Sequence, residues 1–222
     1  MRKNRPDDYL RMIYQICERS PDAIATTGVL AMRMGVSDGT ASTIVKQLAK
    51  AGLVVYQPYG GAQLTQQGLL RALGSLRRQR LLELFLARTL GMPWEQISDE
   101  AERLETCSSD ELIERIDVHL GHPEFDPHGD PIPRSDGTLP TASQVALAGC
   151  SPGTGFVVTR VLDQSTETLR YLAEAGIAIG LRGQITDNTS AGGIVTISTS
   201  GGSFTISRTV AAKIVVSVES TG

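Results

Sequence analysis

The segment WEQISDEAERLET, Trp94 to Thr106, is crowded with carboxylates, among them Asp99, Glu100, Glu102 and Glu105. Glu102 and Glu105 stand i, i+3, so on a helix both point to one face, with Ser98 and Thr106 one turn away on the same side. Gln79 and Glu83, at i, i+4, share a face in an earlier segment. Carboxylates paired this way, with amide and hydroxyl oxygens beside them, form a hard oxygen set. Such a set suits Mn²⁺, Mg²⁺ or Ca²⁺ better than metals that prefer imidazole. The same acids could equally form a solvated face, or pair with Arg77, Arg78, Arg80 and Arg103. His119 and His122 are also i, i+3, with Asp126 nearby, a spacing in which a metal is conceivable. His128, in DPHG, more commonly belongs to a loop fixed by hydrogen bonds. Cys107, next to Thr106, has no basic neighbour in sequence to lower its pKa and reads as a small apolar residue rather than a redox reporter. Ser/His/Asp, Cys/His and phosphate-loop arrangements are missing, so an enzyme is not expected.

The elements that must hold these residues follow from spacing and punctuation. Leu10, Ile13, Tyr14 and Cys17 give a helical stripe over residues 7–18, ended by Pro21. GVLAMRMG forms a second helix, capped by Thr26 or Thr27 and stopped at Gly35. After the turn GVSDG, TASTIVKQLAKAG forms a third helix with Ile44, Val45 and Leu48 inward. LVVYQPYGGAQLT then reads as a hairpin. Helix, helix, turn, helix and two-stranded wing in that order make a winged helix-turn-helix. The third helix would be the reader. Ser37, Thr40, Ala41, Ser42, Thr43 and Gln47 would lie close to base edges, Lys46 would reach phosphate or guanine, and Tyr59 would lie along the wing.

A long helix runs from Thr65 to Gly91, Pro93 opens the helix Trp94 to Thr106, and Ser108 with Glu111 makes a capping box for ELIERIDVHLG. Helices placed after a reading head most simply supply a dimer interface. Residues 122–143, rich in Pro, Gly and Asp, read as a linker or extended arm. Beyond them come GFVVTRVL, the helical TETLRYLAEAG, then LRGQI, GGIVTIS, SFTIS and KIVVSV, a small SH3-type β-barrel or half-barrel. The fold class is therefore mainly α with a small β domain. Its parts are a winged helix-turn-helix over 1–75, a helical dimerisation domain over 76–121, the linker, and an SH3-like domain over 144–222.

The whole chain agrees with a DNA-binding regulator. Its 222 residues are 41% hydrophobic and 20% charged, without an apolar run long enough to span a bilayer. Three cysteines without paired spacing and no apolar leader point to a cytoplasmic location. The net charge of −3 hides an asymmetry: residues 1–80 carry 12 Lys and Arg against 5 Asp and Glu, whereas residues 81–150 carry 4 against 14. The basic head suits phosphate contact. The competing reading is a protein-interaction scaffold, in which the SH3-like tail docks a partner or the PIPRSDGTLP stretch of its own linker and the head reads no DNA.

The order of parts resembles the iron- and manganese-dependent repressors of the diphtheria toxin repressor family, the longer type with a C-terminal SH3-like FeoA domain. The stretches that carry the resemblance are DDYLRMIYQI, GVSDGTASTIVKQLAKAGLV, LTQQG, RRQRLLELFLARTLGMPWEQISDEAERLE, DPHGDPIP, SPGTGFVVTRV and LRYLAEAGIAIG. It implies a homodimer on a palindromic double-stranded DNA operator, with Mn²⁺ or Fe²⁺ joining the first helix to the dimerisation helices. Carried over, one site would use Asp8, Glu102 and Glu105, with Thr106 where the family has histidine. A second would use Glu83 with Gln79 and Ser98, both usually histidine. The missing imidazoles leave three outcomes open: a weak or absent metal response, an altered Mn-like site of oxygens, or Mn²⁺/Fe²⁺ sensing through other ligands. Were metal dispensed with, Arg11, near Asp8 on the first helix, is a cation whose charge could stand in.

Overall fold

Apolar residues at helical spacing bring three helices and a hairpin around one small core. The computed structural model describes residues 5–19, 22–58, 60–141, 143, 145–189 and 192–219. α1 (Pro6–Arg19) buries Tyr9, Leu10 and Ile13. α2 (Thr27–Met34) is capped by the Thr26 hydroxyl, which accepts from the Val29 N–H. It ends on Gly35, whose left-handed backbone (φ 66°) lets the chain turn sharply. α3 (Asp38–Lys50) turns Ala41, Val45 and Leu48 inward. β1 (Val54–Gln57) pairs antiparallel with β2 (Gly61–Leu64), and Ala25 adds a bridge to Ala62. The next helix, α4 (Gln66–Leu90), begins pressed against this core. A Cβ on Gly68 would lie 1.8 Å from the Leu53 carbonyl oxygen, so only glycine fits there.

The chain divides into two compact units. The first is residues 1–78 with 133–138, and the second is 79–132 with 139–222. In the second, the end of α4, α5 (Ile97–Glu105) and α6 (Asp110–His119) close over Leu81, Leu84, Ile97, Ala101, Ile113 and Ile116. A six-stranded antiparallel sheet follows, in the order β3-β8-β4-β5-β6-β7. Its strands are β3 (Val145–Ala146), β4 (Gly155–Val161), β5 (Arg182–Asp187), β6 (Ile194–Thr199), β7 (Gly202–Ser207) and β8 (Ile214–Glu219). α7 (Thr166–Glu174) covers the sheet with Leu169 and Leu172, and α8 (Arg208–Ala211) is a single turn before β8. The expected architecture is thus present: winged helix-turn-helix, helical middle and SH3-like tail.

Local chemistry moves several expected boundaries. α3 starts at Asp38 rather than Thr40, because Ser37 is its N-cap and accepts from the Thr40 N–H at 3.2 Å. Residues 93–96 form a turn closed by the Gln96 N–H on the Pro93 carbonyl, so α5 begins at Ile97 instead of Trp94. The cap of α6 is Ser109, whose hydroxyl accepts from the Leu112 N–H. Ser108 instead donates to the Leu104 carbonyl, and its expected box with Glu111 does not form.

The expected linker is in part a built turn. Phe125 bridges to Pro131, Asp126 N–H donates to the Asp130 carbonyl, and Val161 N–H donates to the His128 carbonyl, joining the turn to β4. At Gly129 the φ is 82°, and a Cβ would stand 1.9 Å from the Thr159 carbonyl oxygen. Glycine is therefore required where the turn meets β4. Residues 133–138 pack with the first unit instead, Gly137 lying against Leu70 and Leu73.

Candidate nucleic-acid interface and candidate metal centre

On α3 the helical period sorts the expected reader residues. Ser37, Thr40, Thr43, Lys46 and Gln47 are exposed and Ser42 is half-buried. Ala41 is a correction: it is fully buried, because i, i+4 and i+7 from it lie the core residues Val45 and Leu48, so it faces the core and cannot meet a base. Two hydroxyls already hold the helix itself. The Thr43 hydroxyl donates to the Gly39 carbonyl at 2.8 Å, and Ser37 and Thr40 share a hydrogen bond at 2.9 Å. The Thr43 hydroxyl, its hydrogen committed, therefore presents acceptor lone pairs and a methyl group outward, while one hydroxyl of the Ser37–Thr40 pair keeps a hydrogen to donate. Tyr59 lies outside the described residues.

Asp8 meets two cations, Arg11 of its own helix and Arg5 just before it. Its Oδ1 accepts from Arg11 Nη2 at 2.7 Å and from Arg5 Nη2 at 3.2 Å, and its Oδ2 accepts from the Arg5 backbone N–H at 3.2 Å. The Asp8 and Arg11 side chains are only 6% and 10% exposed. On α5, Glu105 is buried and Glu102 half-buried. Thr106, in the position where imidazole was expected, gives its hydroxyl to the Arg103 carbonyl at 2.6 Å. Glu100, farther round the helix, pairs with Arg103 at the surface.

A different set of donors converges in the second unit. Ligand atoms of Glu83, Asp126 and His128 all lie within 4.8 Å of one another, and all three residues are buried. Glu83 comes from α4 and the other two from the DPHGD turn. His128 is 0% exposed. Its Nε2 meets the Trp94 carbonyl oxygen at 3.2 Å, and its ring stacks on the indole of Trp94 with centroids 5.9 Å apart. A carbonyl can only accept, so Nε2 carries a proton. Nδ1 is buried without a hydrogen-bond partner, an arrangement that ordinarily costs about 1–3 kcal/mol.

The residues standing where histidines were expected hold Glu83 in place. Gln79 Nε2 donates to Glu83 Oε1 at 3.0 Å, and Ser98 also hydrogen-bonds that carboxylate. Gln79 thus donates to Glu83 through its amide nitrogen. Burial pushes the Glu83 carboxyl up despite these bonds. Burial, with the charges of Asp130 and Glu83 behind it, pushes Asp126 up to about 7, although Arg80 Nε approaches its Oδ2 at 3.6 Å. The other oxygen, Oδ1, accepts from the backbone N–H groups of His128 and Asp130 at 2.8 and 2.9 Å. Burial acts on Asp130 too, but Arg80, Arg160 and Gln164 hold its carboxyl below the usual range. The cluster therefore sets Asp130, whose carboxyl two guanidinium groups stabilise, beside the buried carboxyls of Glu83 and Asp126 and a ring nitrogen of His128.

His119 and His122 lie apart from this cluster. His119 meets Thr89 and the edge of Phe85, and His122 pairs with Asp117 at 2.8 Å. Sequence reasoning found Glu83 and overlooked Asp126 and His128 as its partners. The signal available was the run Asp126-Pro-His-Gly-Asp130, three donors at alternate positions around a glycine.

Three family models cover almost the whole chain. They are the iron-dependent repressor N-terminal DNA-binding domain over residues 3–62, the iron-dependent repressor metal-binding and dimerisation domain over 65–134, and the FeoA domain over 145–218. A winged reader followed by a helical domain with buried carboxylates defines a DNA-binding transcriptional regulator, and the chain belongs to the iron-dependent repressor family. It is 30% identical over 201 residues to the iron-dependent repressor IdeR of Mycobacterium tuberculosis, covering 85% of this chain and 86% of that one. With the diphtheria toxin repressor of Corynebacterium diphtheriae it shares 29% over 203 residues, covering 87% and 88%. Among solved structures, a manganese-dependent transcriptional repressor in complex with manganese superposes with a TM-score of 0.87 at 38% identity, over 97% of this chain and 100% of that chain. ScaR with bound Zn²⁺ superposes at 0.80 with 27% identity, over 96% and 99%.

Proposed function

We propose that the chain is a cytoplasmic, non-enzymatic, homodimeric regulator. In this reading it binds a palindromic operator through α3 and the wing and takes a divalent metal on Glu83, Asp126 and His128. The observation that carries the metal assignment is the convergence of a His128 ring nitrogen with carboxylate oxygens of Glu83 and Asp126, all three residues buried and these atoms within 4.8 Å of one another, in a histidine whose Nδ1 has no hydrogen-bond partner. Ligand atoms that close together can all reach one ion at ordinary bond lengths of about 2.0–2.5 Å. Two carboxylates keep the set suited to Mn²⁺, and the imidazole adds a donor that Fe²⁺ favours. Once bound, the ion adds positive charge beyond that of Arg80, which lies 3.6 Å from Asp126. The remaining residues position these ligands: Gln79 and Ser98 orient Glu83, the Trp94 carbonyl fixes the His128 tautomer, and backbone N–H groups fix Asp126. Leu112 and Val118 on α6 and Leu90 at the end of α4 are exposed, which supports a dimer contact there.

Trp94 is the chain's single tryptophan and is stacked on a proposed ligand, so it reports on this site. Titration of chelator-treated protein with Mn²⁺ should change Trp94 fluorescence saturably. His128→Gln should weaken binding by about a hundred-fold, as loss of a supporting partner alone costs ten- to a hundred-fold. Equal Mn²⁺ affinity in His128→Gln would refute the assignment. For the reader, selection from random duplexes followed by titration should show affinity falling steeply with salt. Lys46→Ala should lower the slope by about one phosphate contact without changing the selected sequence.

A further inference from the structure

We infer that Asp8 is no metal ligand in this chain, and that Arg11 supplies, as part of the polypeptide, the positive charge that the family draws from an ion at that position. The family resemblance places a divalent metal on Asp8, and the residues present do not fit one. Both carboxylate oxygens are engaged, Oδ1 by two guanidinium groups and Oδ2 by a backbone N–H. Arg11 Nη2 lies 2.7 Å from Oδ1 in a buried pair. An ion bonded to that oxygen at about 2.2 Å would therefore sit no more than about 5 Å from a guanidinium that cannot lose its proton. Repulsion between the two is weakly screened in a buried setting, and displacing Arg11 would strand its charge away from Asp8. The comparison with Glu83, Asp126 and His128 is direct. Those acids sit with an open nitrogen, whereas Asp8 has its complement one helical turn away.

This goes beyond the proposed metal centre and is independent of it. One set of measurements tests both: Mn²⁺ bound to the full chain, counted by equilibrium dialysis and by electron paramagnetic resonance of the free ion. The variants are Asp8→Asn with Arg11→Gln together, and His128→Gln alone. The double variant removes both charges of the buried pair at once, so neither is left uncompensated. Parent and double variant should bind the same number of Mn²⁺ per chain with dissociation constants within about twofold. Loss of one equivalent, or a tenfold weakening, in the double variant would overturn the inference about Asp8. Loss in His128→Gln alone supports it and supports the buried centre. Were the parent to bind no Mn²⁺ at all, the buried centre would fall while the conclusion about Asp8 would stand.

Discussion

Asp8 in the head and Asp126 in the second unit are both buried aspartates in a family of metal-responsive regulators, yet their surroundings are opposite. Asp8 has a guanidinium at 2.7 Å and a second at 3.2 Å. Asp126 has a guanidinium only at 3.6 Å, two acidic neighbours, and a carboxyl pushed up to about 7. A buried carboxylate needs a counter-charge, and it can come from the chain or from solution. Where the chain supplies it, the site is indifferent to metal. Where the chain leaves it short, the site is poised to take up a proton or an ion, whichever is available.

The largest effect should come from the turn that holds the responsive side. Gly129→Ala forces a Cβ into the Thr159 carbonyl at a φ of 82°, and should cost about 3 kcal/mol or more, read as a lower denaturation midpoint together with loss of the Mn²⁺ response of Trp94. Next comes the indifferent side. Arg11→Met leaves Asp8 buried with only the more exposed Arg5, and should destabilise by about 3 kcal/mol at pH 7. Urea denaturation in chelator measures this loss, and a loss well under about 1 kcal/mol would erase the contrast between the two sites.

Removing the opposite kind of acid should reverse the sign. The folded-state pKa of Asp126 lies above its unfolded value, so the folded protein binds more protons across the interval. In metal-free protein this acid therefore lowers stability progressively as pH rises from about 4 to about 7. Asp126→Asn should flatten that decline and, without metal, raise stability at pH 7.5 by about 1–2 kcal/mol, while weakening Mn²⁺ binding. Urea denaturation at several pH values, with chelator and with Mn²⁺, measures both. The smallest effect belongs to the half-exposed pair Lys213–Asp163, at 2.5 Å. The Lys213 ammonium, with the Ser165 and Thr168 hydrogen bonds, holds the Asp163 carboxyl below its usual range against partial burial. Its contribution is present above the unfolded pKa and is lost as pH falls through the lower folded value. Lys213→Met should cost under about 1 kcal/mol at pH 7 after solvent screening, and less still in acid.

Much of this molecule is legible in its residues. Apolar periods and cap residues mark the reader helices, the wing and the strands of the tail, because each element announces its face locally. Even Ala41, misassigned to the reading surface, follows the period of Val45 and Leu48 once α3 is known to start at Asp38. Less legible was which neighbour answers which charge. Arg11 and Asp8 are three apart and could be paired on paper. Glu83 and His128 are far apart in sequence, and nothing local shows that a Pro-Gly segment folds back onto α4. The absent histidines at 79 and 98 pointed to a depleted site. The imidazole that stands beside Glu83 belongs to the DPHGD turn, and Gln79 and Ser98 hydrogen-bond the Glu83 carboxylate.

Asp130 is gripped by Arg80 from α4 and Arg160 from β4, and Gly129 is seated on the backbone of that same strand. The C-terminal β domain is therefore no detachable appendage. A shortened version ending near residue 143 would strip Asp130 of Arg160 and Gln164 and leave the turn without its floor. The two donors in that turn would then lose their fixed geometry. Swapping in the tail of a relative should retune metal affinity even though no proposed ligand comes from the tail.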